Sequence, residues 1–160
     1  MTSLAGVHHL KFPVSDLDGS LAWWERAFGA ARQPRWDHRT PDGTLFGYII
    51  TVPGIAEPIE LRLAPGTAAA MSGFDPVTFA VADQSTAETW VRRFDAAGVP
   101  NSGVLRGLLG WLVVVHDPDG ASIRLYSKET HDWDADRADL ESPWIAPLAR
   151  DRPASHRTTT

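Results

Sequence analysis

A chain of 160 residues, 43% apolar and 22% charged, has room for one domain or two small fused modules, and for a core that needs no staples. It contains no cysteine, which excludes disulfides, thiolate metal sites and a Cys nucleophile and fits a reducing cytoplasm. The formal net charge is -5 with no basic cluster, and no apolar run has membrane-spanning length, so neither nucleic acid nor membrane is an expected partner.

The first six residues are a lead-in without the basic and apolar regions of a signal peptide. Val7–Val14 alternates like a strand, with Val7, His9, Lys11 and Pro13 on one side and His8, Leu10, Phe12 and Val14 on the other. Asp18–Phe28 is predicted to be a helix, capped by Asp16 or Asp18, with an apolar stripe of Leu21, Trp24, Ala27 and Phe28, and ended by Gly29. Arg32–Arg39 is polar and aromatic. A Pro-Asp-Gly turn at 41–43 precedes a strand over Thr44–Val52, and Pro58–Leu63 alternates again, with Glu60 and Arg62 sharing a face.

Residues 65–74 read as a linker between a first module, 1–64, and a second, 75–127. In the second module Val77–Ala82 is a strand and Ser85–Ala97 a helix with Ser85 or Thr86 as cap. Asn101–Arg106 is an irregular strand and Gly110–His116 an apolar one. Asp117-Pro118-Asp119-Gly120 is a tight turn and Ala121–Ser127 the last strand. Val14, Asp16, Trp23 and Arg26 return at constant offset as Val81, Asp83, Trp90 and Arg93. Each half therefore reads β-α-β-β-β, an α+β architecture. Residues 128–160 form an arm and tail: a short helix is expected within Lys128–Glu141, an arm packing on a neighbour at Ser142–Leu148, and disorder over Asp151–Thr160.

His9, the Val14-Ser15-Asp16-Leu17 turn, Ser20, Trp24 and Gly29 resemble the opening of a module of the vicinal oxygen chelate superfamily, which includes glyoxalase, bleomycin-resistance and extradiol dioxygenase proteins. Ile59-Glu60-Leu61 and the turn at 117–120 resemble its module ends. The resemblance implies two βαβββ modules forming a curved mixed sheet with a concave cup. It also implies an early-strand His and a late-strand carboxylate from each module as ligands of a divalent metal: Zn, Ni, Mn or Fe. Carried over position by position, these fall on His9 and Glu60 in the first module and on Pro76 and Arg124 in the second. Neither of the latter two ligates a metal, so the cofactor is either absent or held by an incomplete set, and a Glu60–Arg124 ion pair is expected in the metal's place.

His9 is then a metal ligand or a hydrogen-bonded pocket His. Glu60 and Arg124 are catalytic candidates as base and anion anchor, or structural partners of each other. Lys11, Trp36, Tyr48, Arg62, Trp111 and Tyr126 are candidate substrate-binding walls and charges, with His38 on a loop over the cup; His116 is a spare nitrogen ligand or a turn support, and His8 is structural. The expected function is binding of a small molecule in the cup by a cytoplasmic homodimer, with metal-dependent lyase, isomerase or dioxygenase activity as the rival.

Overall fold

The computed structural model describes residues 2–145. It divides into two compact units. Unit 1 comprises residues up to Ser72 together with Asp117–Ala121; unit 2 comprises Gly73–His116 and the chain from Ser122 onward.

Unit 1 begins with strand β1, Leu10–Val14, and helix α1, Leu17–Phe28. The strand starts later than the alternation predicts, so Val7, His8 and His9 lie ahead of it, exposed. Asp16 caps α1 by accepting from Asp18 N, and Gly29 ends it in the left-handed region at φ 68°. The buried stripe of α1 includes Leu17, Ser20 and Trp23 beside Trp24, Ala27 and Phe28, while Leu21, expected in it, is only half-buried. Trp24 meets Phe12 edge-on at 5.1 Å, and Trp23 meets Trp24 at 5.6 Å. These rings, with Val14, Phe28, Ile50, Ile59 and Leu61, form the core between α1 and the sheet.

Two short strands follow, β2 (Ala31–Arg32) and β3 (His38–Arg39), separated by a 3-10 turn at Pro34–Trp36; then come β4, Leu45–Thr51, and β5, Ile59–Leu63. The sheet order is β1-β5-β4-β2, with β3 also on β4; β1 runs parallel to β5, and β4 antiparallel to it. Pro13 is tolerated because β1 is an edge strand of this sheet. The segment expected to be a linker instead folds as helix α2, Pro65–Met71, with Pro at its first turn and Ala68 N bonded to Ala64 O. Proline there loses only an N–H that has no helical partner, and the alanines propagate the turn.

Unit 2 repeats the plan with β6 (Val77–Val81), α3 (Gln84–Ala96), β7 (Leu105–Arg106), β8 (Trp111–His116) and β9 (Ser122–Ser127), in sheet order β6-β9-β8-β7. The α3 cap is Asp83, not Ser85 or Thr86: its Oδ1 accepts from Thr86 N at 2.7 Å. Phe94, Val113, Val115, Ile123 and Leu125 make its core.

The arm beyond Ser127 contains no helix among the described residues. Its backbone donors go elsewhere: His131 N to Leu109 O, Asp134 N to Leu108 O and Asp139 N to Arg106 O. Trp144 stacks on His116 at 4.8 Å and 8°, so this part of the arm packs on its own unit. The rest of the expected arm, and all of Asp151–Thr160, lie outside the described residues.

Candidate functional site

Unit 1 holds a cavity of about 520 Å³ lined by His8, His9, Trp36, His38, Ile49, Pro58 and Glu60, within the range of small-molecule sites. Strand register builds it. Glu60 on β5 lies opposite Lys11 on β1 and Ile49 on β4, so these three share the sheet face turned away from α1. His38 on β3 lies opposite Gly47, where an added Cβ would come within 3.3 Å of Glu60 Oε1 and 3.4 Å of His38 Cβ. A glycine here lets the imidazole and the carboxylate approach each other.

Glu60 is the centre. Its side chain is 0% exposed and carries cations on both oxygens: Arg62 Nε donates to Oε1 at 2.6 Å, and Lys11 Nζ stands 3.2 Å from Oε2. His38 Nδ1 is 3.2 Å from Oε1 and His9 Nε2 is 3.9 Å from Oε2. Burial pushes the carboxyl pKa up, but the hydrogen bond from Arg62, the Lys11 ammonium beside it and the nearby charges push it down further, so the net shift is below the ordinary value. Glu60 is therefore an ionised acceptor, a poor fit to the role of general base.

The sequence-predicted residues divide accordingly. His9, Glu60 and Trp36 line the cavity, and Lys11 and Arg62 hold Glu60. His8, expected to be structural, lines it too, because it precedes the strand and escapes the alternation. Its Nδ1 is 3.0 Å from that of His9. Ile49 and Pro58 were not anticipated; their only sequence signal is the register of β4 on β5.

Tyr48 is a correction. It lies opposite Leu61 on the helix side of the sheet, 5% exposed, and its hydroxyl donates to Asp18 Oδ1 at 2.6 Å while Arg32 covers its ring at 3.6 Å. The hydrogen bond to Asp18 and burial both raise its pKa.

Arg124 has a partner within its own unit: its Nε lies 2.7 Å from Asp75 Oδ2, as Glu60 in unit 1 takes Arg62 and Lys11. Trp111 and Tyr126 also serve unit 2. Trp111 packs edge-on against His131 at 5.1 Å, and the Tyr126 hydroxyl accepts from Leu109 N at 3.3 Å. His116 contacts Ser122 Oγ at 3.1 Å as well as Trp144, and burial lowers its pKa.

The donor set does not fit the divalent metal that the resemblance implies. Among the described residues no three His, Cys, Asp or Glu side chains converge on a point. Charge argues the same way. At an effective dielectric near 20, unit charges 4 Å apart interact by about 4 kcal/mol. Arg62 and Lys11 together more than cancel the attraction of Glu60 for an incoming cation.

A family model described as Glyoxalase/Bleomycin resistance protein/Dioxygenase superfamily matches residues 6–125. No match is found among curated proteins. Solved structures similar in fold include a glyoxylase/bleomycin resistance protein/dioxygenase domain from Frankia sp. EAN1pec. It is 23% identical with a TM-score of 0.61, the match covering 78% of this chain and 98% of that one. TnmS3, an antibiotic binding protein from Streptomyces sp. CB03234, is 18% identical with a TM-score of 0.61, covering 79% and 98%. FosX from Listeria monocytogenes, complexed with Mn(II) and sulfate, is 15% identical with a TM-score of 0.57, covering 78% and 93%.

Proposed function

Because the chain belongs to the Glyoxalase/Bleomycin resistance protein/Dioxygenase superfamily, a fold that hosts both binders and enzymes, we propose that it binds a small molecule in the unit 1 cavity without a metal on Glu60. The observation that carries this reading is the pairing of buried Glu60 with Arg62 and Lys11 in a cavity otherwise walled by Trp36, Ile49, Pro58 and imidazoles. The position that would ligate a metal is already neutralised, and the walls suit an apolar, ring-bearing molecule. The antibiotic-binding neighbour TnmS3 supports a binding role by analogy of fold.

The rival reading, a metal-dependent enzyme, rests on His9 standing 3.9 Å from Glu60. Metal content separates the two. The protein is exposed to Zn, Ni, Mn and Fe(II) beside a His9→Ala control. The expected result is no stoichiometric metal in either; one equivalent that vanishes in the control sinks the proposal. Binding is tested by thermal shift against planar aromatic compounds. A ligand at a hundred times its Kd stabilises by about 2.7 kcal/mol, and the shift is expected to be lost in Trp36→Ala. The same proposal takes the working form to be a cytoplasmic homodimer. Exposed apolar side chains such as Trp133 and Leu109 support the dimer, and sedimentation that returns only monomer rejects it. No helix among the described residues is long and apolar enough to cross a membrane.

A further inference from the structure

Glu60 Oε2 has no hydrogen-bond donor among the described residues. The side chain is 0% exposed, and among the described residues this oxygen accepts no hydrogen bond. Its companion Oε1 is well supplied, by Arg62 Nε at 2.6 Å and by His38 Nδ1 at 3.2 Å. Lys11 Nζ is 3.2 Å from Oε2 but is an ion-pair neighbour without hydrogen-bond geometry, and His9 Nε2 at 3.9 Å is out of reach. A buried acceptor left unmade is costly, and an ionised carboxylate is an acceptor only.

The charge around Oε2 restricts what can satisfy it. Two cations already serve one carboxylate, so a third, whether a metal ion or an ammonium group, meets net repulsion. A neutral O–H or N–H meets none, and its bond to the carboxylate is charge-assisted. The walls add shape. Trp36 is 47% exposed and lines the cavity, with Arg35 over its ring at 4.4 Å. Ile49 and Pro58 supply apolar surface nearby.

Resting on the cavity reading above, we propose that the site selects a neutral, planar aromatic molecule whose hydroxyl or amide N–H donates to Glu60 Oε2. Arg62 and Lys11 then do for the carboxylate's charge what a bound metal would otherwise do, and the ligand completes its hydrogen bonding.

The test is isothermal titration of the full chain with four probes on one ring system: 2-naphthol, 2-methoxynaphthalene, 2-naphthoate and 2-(aminomethyl)naphthalene, with Mn(II) alone as a fifth titrant. The expected result is that 2-naphthol binds at least about tenfold tighter than its methoxy analogue, the size of a hydrogen bond to a charged group, and tighter than the ammonium probe. In Glu60→Met, which removes the acceptor, that preference should fall below about threefold. The wild-type series decides the matter even if this variant does not fold. Equal binding of naphthol and its methoxy analogue overturns the donor inference and leaves the cavity reading standing. Tighter binding of the ammonium probe or of Mn(II), lost in Glu60→Met, overturns it by making Glu60 a cation site. Failure of every naphthalene to bind sinks the cavity reading itself, and the inference with it.

Discussion

The two units use one scaffold to hold opposite charges at one position. In unit 1, Lys11 of β1 lies opposite Glu60 of β5; in unit 2, Thr78 of β6 lies opposite Arg124 of β9. Register thus makes Glu60 and Arg124 equivalent, and it places His9 and Pro76 correspondingly ahead of the first strands. The frame is kept in both: Val14 and Val81 close the first strands, and Asp16 and Asp83 cap the helices. The chemistry is not kept. Each charge finds its counter-charge within its own unit, buried Glu60 in Arg62 and Lys11, part-buried Arg124 in Asp75. The comparison teaches that capping and core packing specify the fold, while the charged position is free to change sign if its neighbours change with it.

The largest expected effect tests the packing half of that statement. Trp24 is fully buried, so Trp24→Ala should cost about 4 kcal/mol in urea unfolding. Trp90, the counterpart of Trp23, is only half-buried, and Trp90→Ala should cost about 1–2 kcal/mol. Equal losses would mean that depth of burial does not set the cost of removing these rings.

Next come two carboxylates of unit 1 with opposite shifts. Asp117 is 5% exposed, and burial lifts its pKa from 3.8 to about 6, despite its accepting from Ala121 N at 2.8 Å. A raised acid favours the fold fully below pH 3.8 and loses that advantage as pH rises through about 6. Asp117→Asn should therefore stabilise the protein at pH 7.5 by up to roughly 3 kcal/mol and leave stability at pH 3.5 nearly unchanged. Glu60 is lowered from 4.5, so its contribution is present above that value and is lost as pH falls through the folded pKa. A stability profile of Asp117→Asn that still falls between pH 4 and 6 would contradict the assignment.

Smaller again is removal of the charge partners. Glu60→Gln strands Arg62 and Lys11, whose side chains are 37% and 44% exposed, so the loss should be about 2 kcal/mol, below the usual range for a buried pair. Arg124→Met leaves Asp75 with some access to water and should cost about 1 kcal/mol. The order reverses if Arg124, not Glu60, is the more tightly held charge. The smallest effect concerns what the halves share. Asp16→Ala and Asp83→Ala should each cost about 1 kcal/mol and agree within a few tenths.

Much of this was legible in the sequence. The strand-helix unit, its repeat, the Gly29 terminator and the Asp-Pro-Asp-Gly turn are local patterns that the fold reproduces, although β1 begins at Leu10 and not at Val7. Helix α2 escaped because Pro, Gly and Ala also spell linker, and only Pro's place in the first turn tells them apart. The helix expected in Lys128–Glu141 is absent because the β7–β8 region captures its backbone donors, a long-range event with no local signal.

The site shows the same divide. His9 and Glu60 follow from position in the motif, and Lys11 and Arg62 from period-two alternation. Tyr48 was misassigned because alternation fixes faces only once register is known, and register puts Ile49 beside Glu60. The Arg124 partner, Asp75, sits just before β6, outside any pattern that a ligand search inspects.

Pro13 has a consequence for how this sheet meets other strands. It sits in the middle of an edge strand and carries no N–H. Any strand laid along that edge, native or misfolded, finds a missing rung in its ladder. Edges are where sheets recruit one another into aggregates, and proline is among the residues that interrupt them. One imino acid, costing the fold little at this position, thus also acts as a brake on unwanted self-templating.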